Sequence, residues 1–160
     1  MELHDLYTRY AADVHRFALY LCGERALADD LTSETFLRAW SSPSPIREAT
    51  VKAYLFTIVR HLYLSEIGRA SRHVELTDVI PSASPGQHEQ LESDRALRQV
   101  QQALKQLPEI DRAALLMRTQ DGMPYEHIAQ VLDISVPNAK VKVHRARLKL
   151  ATLIPGTVQP

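Results

Sequence analysis

Cysteine is almost absent from this chain of 160 residues, because Cys22 is its one example. A single cysteine excludes an intramolecular disulfide and a cysteine-rich zinc site, and it fits a reducing compartment. Glycine is scarce as well, with five residues, while hydrophobic residues make up 45% of the chain. This composition is sufficient for a buried core and argues against wholesale disorder.

Long apolar runs are also lacking. No run approaches the roughly 18 residues that a membrane-spanning helix requires. Residues 1–5 do not form a basic segment followed by an apolar one, so we expect no signal peptide. These observations predict a cytoplasmic protein that is not inserted in a membrane.

Patterns typical of catalysis and metal binding are missing too. We find no paired catalytic carboxylates, no nucleophile elbow and no glycine-rich phosphate loop. The seven histidines do not show the spacing of metal ligands. We therefore expect no enzymatic activity, no cofactor and no metal. An all-helical hydrolase remains a weak alternative, and turnover by the purified protein would be its signature.

The formal net charge is zero, which argues against a protein that is basic throughout. The charges are unevenly distributed, however, since residues 138–150 contain five cations and no carboxylate. A neutral protein with one basic helix can still bind phosphates locally.

Apolar residues recur at offsets of three and four along the first half, which predicts an all-α fold. The first helix runs from about Leu3 and ends at Gly23, and the second covers about 26–40. Thr50 is a suitable N-cap for a third helix, which we expect to end near Gly68. Further helices are predicted in the second half, from about Leu97 to Leu107, Pro108 to Met117, Pro124 to Leu132 and Val136 to Leu153.

The stretch between residues 71 and 93 is polar, contains Pro81 and Pro85, and is too long for a connection inside a compact domain. It predicts two small helical domains, 1–72 and 94–154, joined by a flexible linker over 73–93.

Residues 125–145 predict a helix-turn-helix. Ala129 is the small residue that two steeply crossing helices need where they touch, and Ser135 can cap the second helix. Apolar residues are placed to fill a small core, and cations occupy the other face of the second helix, where they can contact DNA. A merely solvated basic face is the alternative, which the complete apolar pattern makes less favoured. The core positions are Ile128, Leu132, Ile134, Val136, Ala139 and Val143, and the DNA-facing positions are Lys140, Lys142, His144, Arg145 and Arg147.

Three segments resemble one family. Residues 104–153, with Leu107-Pro108-Glu109 and the ending His144 to Arg147, resemble the upstream-element-binding domain of bacterial sigma factors. Residues 30–40 resemble their polymerase-binding helix, and residues 54–62 resemble the helix that faces the downstream promoter element. These motifs are unrelated to one another, they occur in the order found in the family, and a linker separates them. Together they make nearly the whole chain similar to the extracytoplasmic-function group of the sigma-70 family.

This resemblance implies a subunit that binds core RNA polymerase and promoter DNA, is commonly held by an anti-sigma factor, and is a monomer when free. Trp40, Tyr54 and Ile58 are expected in the core. Arg145 is the expected guanine reader, with Lys142 and Arg147 as phosphate contacts. The implied polymerase-binding residues are Asp30, Glu34, Phe36 and Arg38, and those for the downstream element are Arg47, Lys52, Arg60 and His61.

The chain departs from the family pattern at four positions. The family often has Asn where His61 stands, Gly where Asp133 and Pro137 stand, and a hydroxyl cap where Pro124 stands. Asp can adopt a left-handed turn conformation and Pro fits a first helical turn, so the fold is expected to survive while promoter preference changes.

Two other functions compete with that of a sigma factor. A stand-alone helix-turn-helix regulator would not need the motif at 30–40, and an interaction adaptor would carry a vestigial DNA-binding domain.

Overall fold

The computed structural model describes residues 2–42, 50–77 and 92–154. The described residues form seven α-helices and no β-strand, which confirms the predicted all-α class. None of these helices combines the length and the apolar character needed to cross a membrane. The helices are α1 (Leu3–Cys22), α2 (Arg25–Trp40), α3 (Val51–Thr77), α4 (Glu92–Lys105), α5 (Glu109–Thr119), α6 (Tyr125–Leu132) and α7 (Val136–Leu153).

Helices α1, α2 and α3 pack together as an N-terminal bundle. The rings of Phe17 and Phe56 stack at its centre, with centroids 4.4 Å apart. Helix α1 ends where predicted, because Gly23 adopts a left-handed conformation with φ 78°. Its N–H donates to the carbonyl of Leu19 at 2.7 Å, so the cap satisfies one of the last helical carbonyls.

Helix α3 is longer than predicted, since it continues through Gly68 to Thr77. A glycine inside a helix costs only about 1 kcal/mol relative to alanine. An ion pair between Arg69 and Glu66 brackets the glycine, as neighbouring helical turns allow. The prediction that the helix ends near Gly68 is therefore wrong. The remaining part of the predicted linker, residues 78–91, lies outside the described residues, and the domain division stays a prediction.

Helices α4 to α7 form a second bundle that contains the helix-turn-helix. Asp133 follows α6 in the left-handed conformation, with φ 56° and ψ 50°, where the family often has Gly. Ser135 then caps α7, because its Oγ accepts a hydrogen bond from the N–H of Asn138 at 3.2 Å. Pro137 lies in the first turn of α7, where a missing N–H is tolerated.

The core of the helix-turn-helix agrees with the predicted positions. Ala129, where α6 approaches α7, is buried, and Ile128 and Val143 are buried almost completely. Ile134 and Val136 are partly buried against the same core.

The two bundles lie against each other. Helix α1 contacts α4 and α5, and α3 contacts α6. Charged side chains of α3, including predicted DNA-binding residues, therefore lie beside the C-terminal bundle.

Candidate nucleic-acid and polymerase interfaces

Helix α7 has a distinct inner and outer face. Its inner line is buried and consists of Ala139, Val143, Ala146 and Leu150. At 3.6 residues per turn, the opposite line contains Val141 and Leu148, which are 54% and 59% exposed. The cations therefore flank an apolar line instead of occupying it. Lys140 and Arg147 lie on one side, and Lys142, Arg145 and Lys149 lie on the other.

The guanidinium of Arg145 is paired with the carboxylate of Asp111, which lies in the first turn of α5. The Nε of Arg145 lies 3.1 Å from Oδ2 of Asp111, whose side chain is buried, while more than half of the Arg145 side chain is exposed. This contact places Arg145 beside a groove lined by Leu107, Pro108 and Ile110. The side chain is oriented by the ion pair, at the flank of the outer face. Its role as guanine reader stays a prediction.

Two cations stand near the ring of Tyr125, the first residue of α6. The Arg118 guanidinium lies 4.3 Å from the ring centroid, and the Nζ of Lys140 lies 5.6 Å from it. These distances are within the range of cation–π attraction. The ring therefore joins the Lys140 flank of α7 to α5 and α6.

The predicted downstream-element cations of α3 meet carboxylates of the C-terminal bundle. Arg60 makes a bidentate contact with Glu109, with its Nε 2.8 Å from Oε2 and its Nη2 2.7 Å from Oε1. The Nζ of Lys52 lies 3.0 Å from Oδ2 of Asp13 and 3.3 Å from Oδ1 of Asp121. Sequence reasoning missed this network because its members are far apart in the chain. His61 is exposed on the same helix, whereas Arg47 lies outside the described residues.

Asp121 is the most buried member of this network. Its side chain has no exposed surface, and its Oδ1 also lies 3.1 Å from the Nη2 of Arg16. Burial raises the pKa of Asp121 by more than Lys52 and Arg16 lower it. Burial lowers the pKa of Lys52, but Asp13 and Asp121 more than offset this, so its pKa is raised. Lys52 is therefore stabilised as a cation, while the enclosed carboxylate of Asp121 is desolvated more than its two cations compensate.

The exposed face of α2 is the candidate polymerase interface. It presents Asp30, Glu34 and Arg38, and the Nε of Arg38 lies 3.6 Å from Oε2 of Glu34. Leu37 is the residue that the sequence reasoning missed, since it is 53% exposed between these charges. Helical spacing indicates this position, because Leu31, Thr35 and Ala39 lie on the buried face of α2 and Leu37 lies on the opposite face.

Two aromatic residues of α2 differ from expectation. Phe36 was expected to dock on polymerase, but it is 3% exposed and packs edge-on against Tyr7 at a centroid distance of 5.1 Å. Its ring therefore supports the α2 face from inside. Trp40 was expected in the core, and that prediction is wrong because its side chain is 60% exposed. The last core position of α2 is filled by Ala39, which turns Trp40 outward.

Comparison with known proteins identifies the family to which the chain belongs. Models of sigma-70 region 2 and of sigma-70 region 4 match residues 6–73 and 97–150. The extracytoplasmic-function RNA polymerase sigma factor EcfG of Rhodopseudomonas palustris is 35% identical over 158 residues, which cover 96% of this chain and 85% of that protein. The chain belongs to the extracytoplasmic-function sigma factors.

Other relatives agree with this assignment. The sigma factor SigL of Mycobacterium tuberculosis is 32% identical over 90% of this chain and 84% of its own length. The sigma factor RpoE of Bartonella quintana, solved in complex with the anti-sigma factor NepR, shares 26% identity and a TM-score of 0.79. That likeness covers 94% of this chain and 95% of RpoE. The predicted function in promoter recognition and transcription initiation with core RNA polymerase is confirmed, and the stand-alone regulator is not favoured.

Proposed function

We propose that this sigma factor reads upstream promoter DNA with the outer face of α7 and docks on core polymerase through the outer face of α2. The observation that carries this assignment is the line of exposed apolar residues on α7, flanked on both sides by cations. A helix of this kind fits a major groove, where phosphates line both edges and base edges form the floor. In this proposal the chain acts through binding and has no catalytic role.

The central line of α7 reads bases. Val141 is placed to contact the 5-methyl group of a thymine, which is the apolar feature of the major-groove floor. Arg145 approaches from one flank, and its pairing with Asp111 fixes the direction of the guanidinium toward a guanine. Lys142 and Arg147, on opposite flanks, bind phosphates of the two strands.

The outer face of α2 has the composition of a small protein interface. Leu37 is its apolar centre, and Asp30, Glu34 and Arg38 form a charged rim. The exposed Glu34–Arg38 pair adds little stability, so both charges are available to a partner.

Substitution of the α2 face tests the docking role. Leu37→Asp, or Glu34→Lys combined with Arg38→Glu, should weaken binding to core polymerase at least tenfold, which corresponds to about 1.4 kcal/mol. Leu64→Asp is the matched control, because Leu64 is an exposed leucine on α3. Unchanged affinity of the α2 variants, with helical content preserved, would remove this face from the interface.

Lys52, Arg60 and His61 serve the opened downstream element in this proposal, together with Arg47. Cations follow the backbone of single-stranded DNA, and an exposed imidazole can stack on a base. In the present arrangement Arg60 is paired with Glu109, and Lys52 is paired with Asp121 and with Asp13 of α1, so a DNA backbone has to displace these carboxylates.

An anti-sigma factor is the proposed regulatory partner, by analogy with RpoE in its complex with NepR. We also propose a cytoplasmic location and a monomeric free state.

Transcription in vitro with purified core polymerase tests the function as a whole. Promoter-specific transcripts should depend on this chain and fall when Lys142 and Arg147 are both replaced by Ala. Equal transcription with the double variant would mean that α7 does not hold the promoter.

A further inference from the structure

Within the described part of the chain, Arg145 is the one cation of α7 that is paired with a carboxylate. Its Nε lies 3.1 Å from Oδ2 of Asp111, and its Nη2 lies 3.5 Å from Oδ1. No described carboxylate pairs in this way with Lys142, Arg147 or Lys149. Lys142 and Lys149 line the same groove as Arg145 and Asp111. Arg145 is therefore restrained in a way that the neighbouring cations are not.

Asp111 is a rigid support for this contact. It lies in the first turn of α5, where the free N–H groups of the helix stabilise an anion. Its side chain is 3% exposed, whereas that of Arg145 is 56% exposed. Because α5 packs against α7, the two backbones are held at a fixed separation. The position of the exposed guanidinium therefore depends on the buried carboxylate.

The pair uses one edge of the guanidinium and leaves another free. A guanidinium carries five N–H groups in a planar fork. Asp111 faces the edge formed by Nε and Nη2, so the edge formed by Nη1 and Nη2 remains available. That second edge can donate two parallel hydrogen bonds to O6 and N7 of a guanine. An arginine without the carboxylate can turn its whole fork to a phosphate, whose geometry matches it equally well.

The charge of Asp111 also weakens the attraction of Arg145 for the DNA backbone. An ion pair has no net charge, so Arg145 attracts phosphates less than an unpaired cation does. Contacts to phosphates add affinity without sequence information, whereas contacts to base edges specify the sequence. The carboxylate therefore acts on the two kinds of contact in opposite directions.

We propose that Asp111 is a positioning residue that determines specificity at one base pair. It holds Arg145 with one edge free for guanine, and it keeps this cation from binding phosphates regardless of sequence. Asp111 thereby lowers the affinity of α7 for DNA in general and raises its preference for guanine at one position. This inference rests on the proposed role of Arg145 in reading the upstream element.

A sequence-selection experiment with the holoenzyme tests the preference for guanine. Holoenzymes assembled from core polymerase and each variant select from promoter duplexes in which the upstream half is randomised. Asp111→Asn should reduce the guanine preference at one position at least about fivefold, the lower end of the discrimination given by one bidentate contact. The other positions should keep their preferences, and Arg145→Ala should abolish the preference at the same position.

The outcomes separate the inference from the proposed function. If Arg145→Ala removes the guanine preference while Asp111→Asn keeps it, the role of Asp111 is overturned and that of Arg145 stands. If Arg145→Ala changes no position, the base-reading role of Arg145 fails and the inference fails with it.

Binding of the full-length chain to a fluorescein-labelled duplex of unrelated sequence tests the general affinity. Asp111→Asn should raise this affinity and steepen the slope of log K against log salt by about 0.9, which corresponds to one more phosphate contact. Loss of a residue that only supported the fold would lower the affinity instead. Glu126→Gln is the matched control, because it neutralises an exposed carboxylate of the same bundle. Equal gains for the two variants would overturn the inference.

A double variant identifies the source of the gain. Asp111→Asn with Arg145→Ala should bind the unrelated duplex no more tightly than Arg145→Ala alone, because no guanidinium is released. A gain that persists without Arg145 would overturn the inference.

A second substitution keeps the test valid if asparagine still accepts a hydrogen bond from the Nε of Arg145. Asp111→Leu has no acceptor, and its side chain fits beside Leu107 and Ile110. It should lose the guanine preference as Asp111→Asn does, and far-UV circular dichroism checks that each variant keeps its helices. A preference that survives both substitutions would overturn the role of Asp111.

Discussion

Arg145 lies on α7, the proposed DNA-reading helix, and its guanidinium pairs with Asp111, whose side chain is 3% exposed. Arg145→Ala would leave this carboxylate buried without its cation. We expect the C-terminal bundle to lose about 1–3 kcal/mol of stability, because a buried acceptor is left unsatisfied. Chemical denaturation measures this loss. Lys142→Ala should leave stability unchanged, weaken binding to all DNA sequences about equally and reduce the salt dependence of that binding, since fewer counterions are released. Equal stability of the two variants would contradict the supporting role of Asp111.

Val141 provides a test of base reading that depends on one methyl group. Replacing thymines of the upstream element by uracil, one at a time, should weaken binding of the polymerase holoenzyme at one position about fourfold. This corresponds to roughly 0.8 kcal/mol for one buried methyl or methylene group. The Val141→Ala protein should bind the thymine and uracil promoters equally, while Lys142→Ala should keep the difference. If Val141→Ala still distinguished thymine from uracil at that position, another residue would be reading the methyl group.

Cys22 is the only thiol in the chain, and it is 3% exposed at the end of α1. Burial raises its pKa, and its Sγ lies 3.3 Å from the carbonyl oxygen of Glu24. Because the thiolate is the reactive form, we expect very slow reaction with Ellman's reagent in the folded protein. Reaction in concentrated urea should be rapid. Fast labelling without denaturant would show that the end of α1 opens readily.

At the level of elements, the turn between α6 and α7 stores a small strain. Asp133 has φ 56°, a conformation that costs about 1–2 kcal/mol for a residue with a Cβ, although aspartate tolerates it better than most residues. Asp133→Gly should therefore raise the free energy of unfolding by up to about 1 kcal/mol, and Asp133→Val should lower it. Urea denaturation of both variants measures the difference. A destabilised Asp133→Gly protein would mean that the carboxylate makes a contact more important than the strain.

Local signals in the sequence were sufficient to locate most helix ends. Gly23, Ser135 and the turn at Asp133 act through backbone geometry or hydrogen bonds within a few residues, so their neighbours in the chain reveal them. The prediction that α3 ends near Gly68 was wrong because the residues on both sides of this glycine continue the helix. The prediction that Trp40 lies in the core was wrong because a large apolar side chain does not by itself indicate which face of its helix is buried.

At the scale of the whole molecule, the decisive contacts join residues that are distant in the sequence. Arg60 and Glu109 are 49 positions apart, and Arg16 and Asp121 are 105 apart. Helical periodicity predicted the helix that carries Lys52 and Arg60, but it carries no information about carboxylates on another bundle. The family resemblance likewise assigned these cations to DNA without showing what holds them in the free chain. Only the packing of the two bundles reveals that Arg60 is paired with Glu109 and Lys52 with Asp121.

Asp121 makes the contact between the two bundles depend on pH. Burial beside α1 and α3 raises its pKa above the ordinary value of 3.8, against the opposing effects of Lys52 and Arg16 and with a contribution from Asp13. If the bundles separated, water would solvate the carboxylate, so the packed arrangement binds a proton more tightly. The resulting stabilisation is largest at low pH and is lost as the pH rises through the raised pKa.

We therefore expect the chain to become more compact as the pH falls from 7 toward that ordinary value, and Asp121→Asn should remove this pH dependence. Small-angle scattering of both proteins across this range measures the effect. The Glu126→Gln variant, which changes an exposed carboxylate of the same bundle, should respond to pH as the unmodified protein does. A chain that expands on acidification would show that Asp121 stabilises the contact between the bundles mainly as an anion, and that its two cations outweigh the cost of burying it.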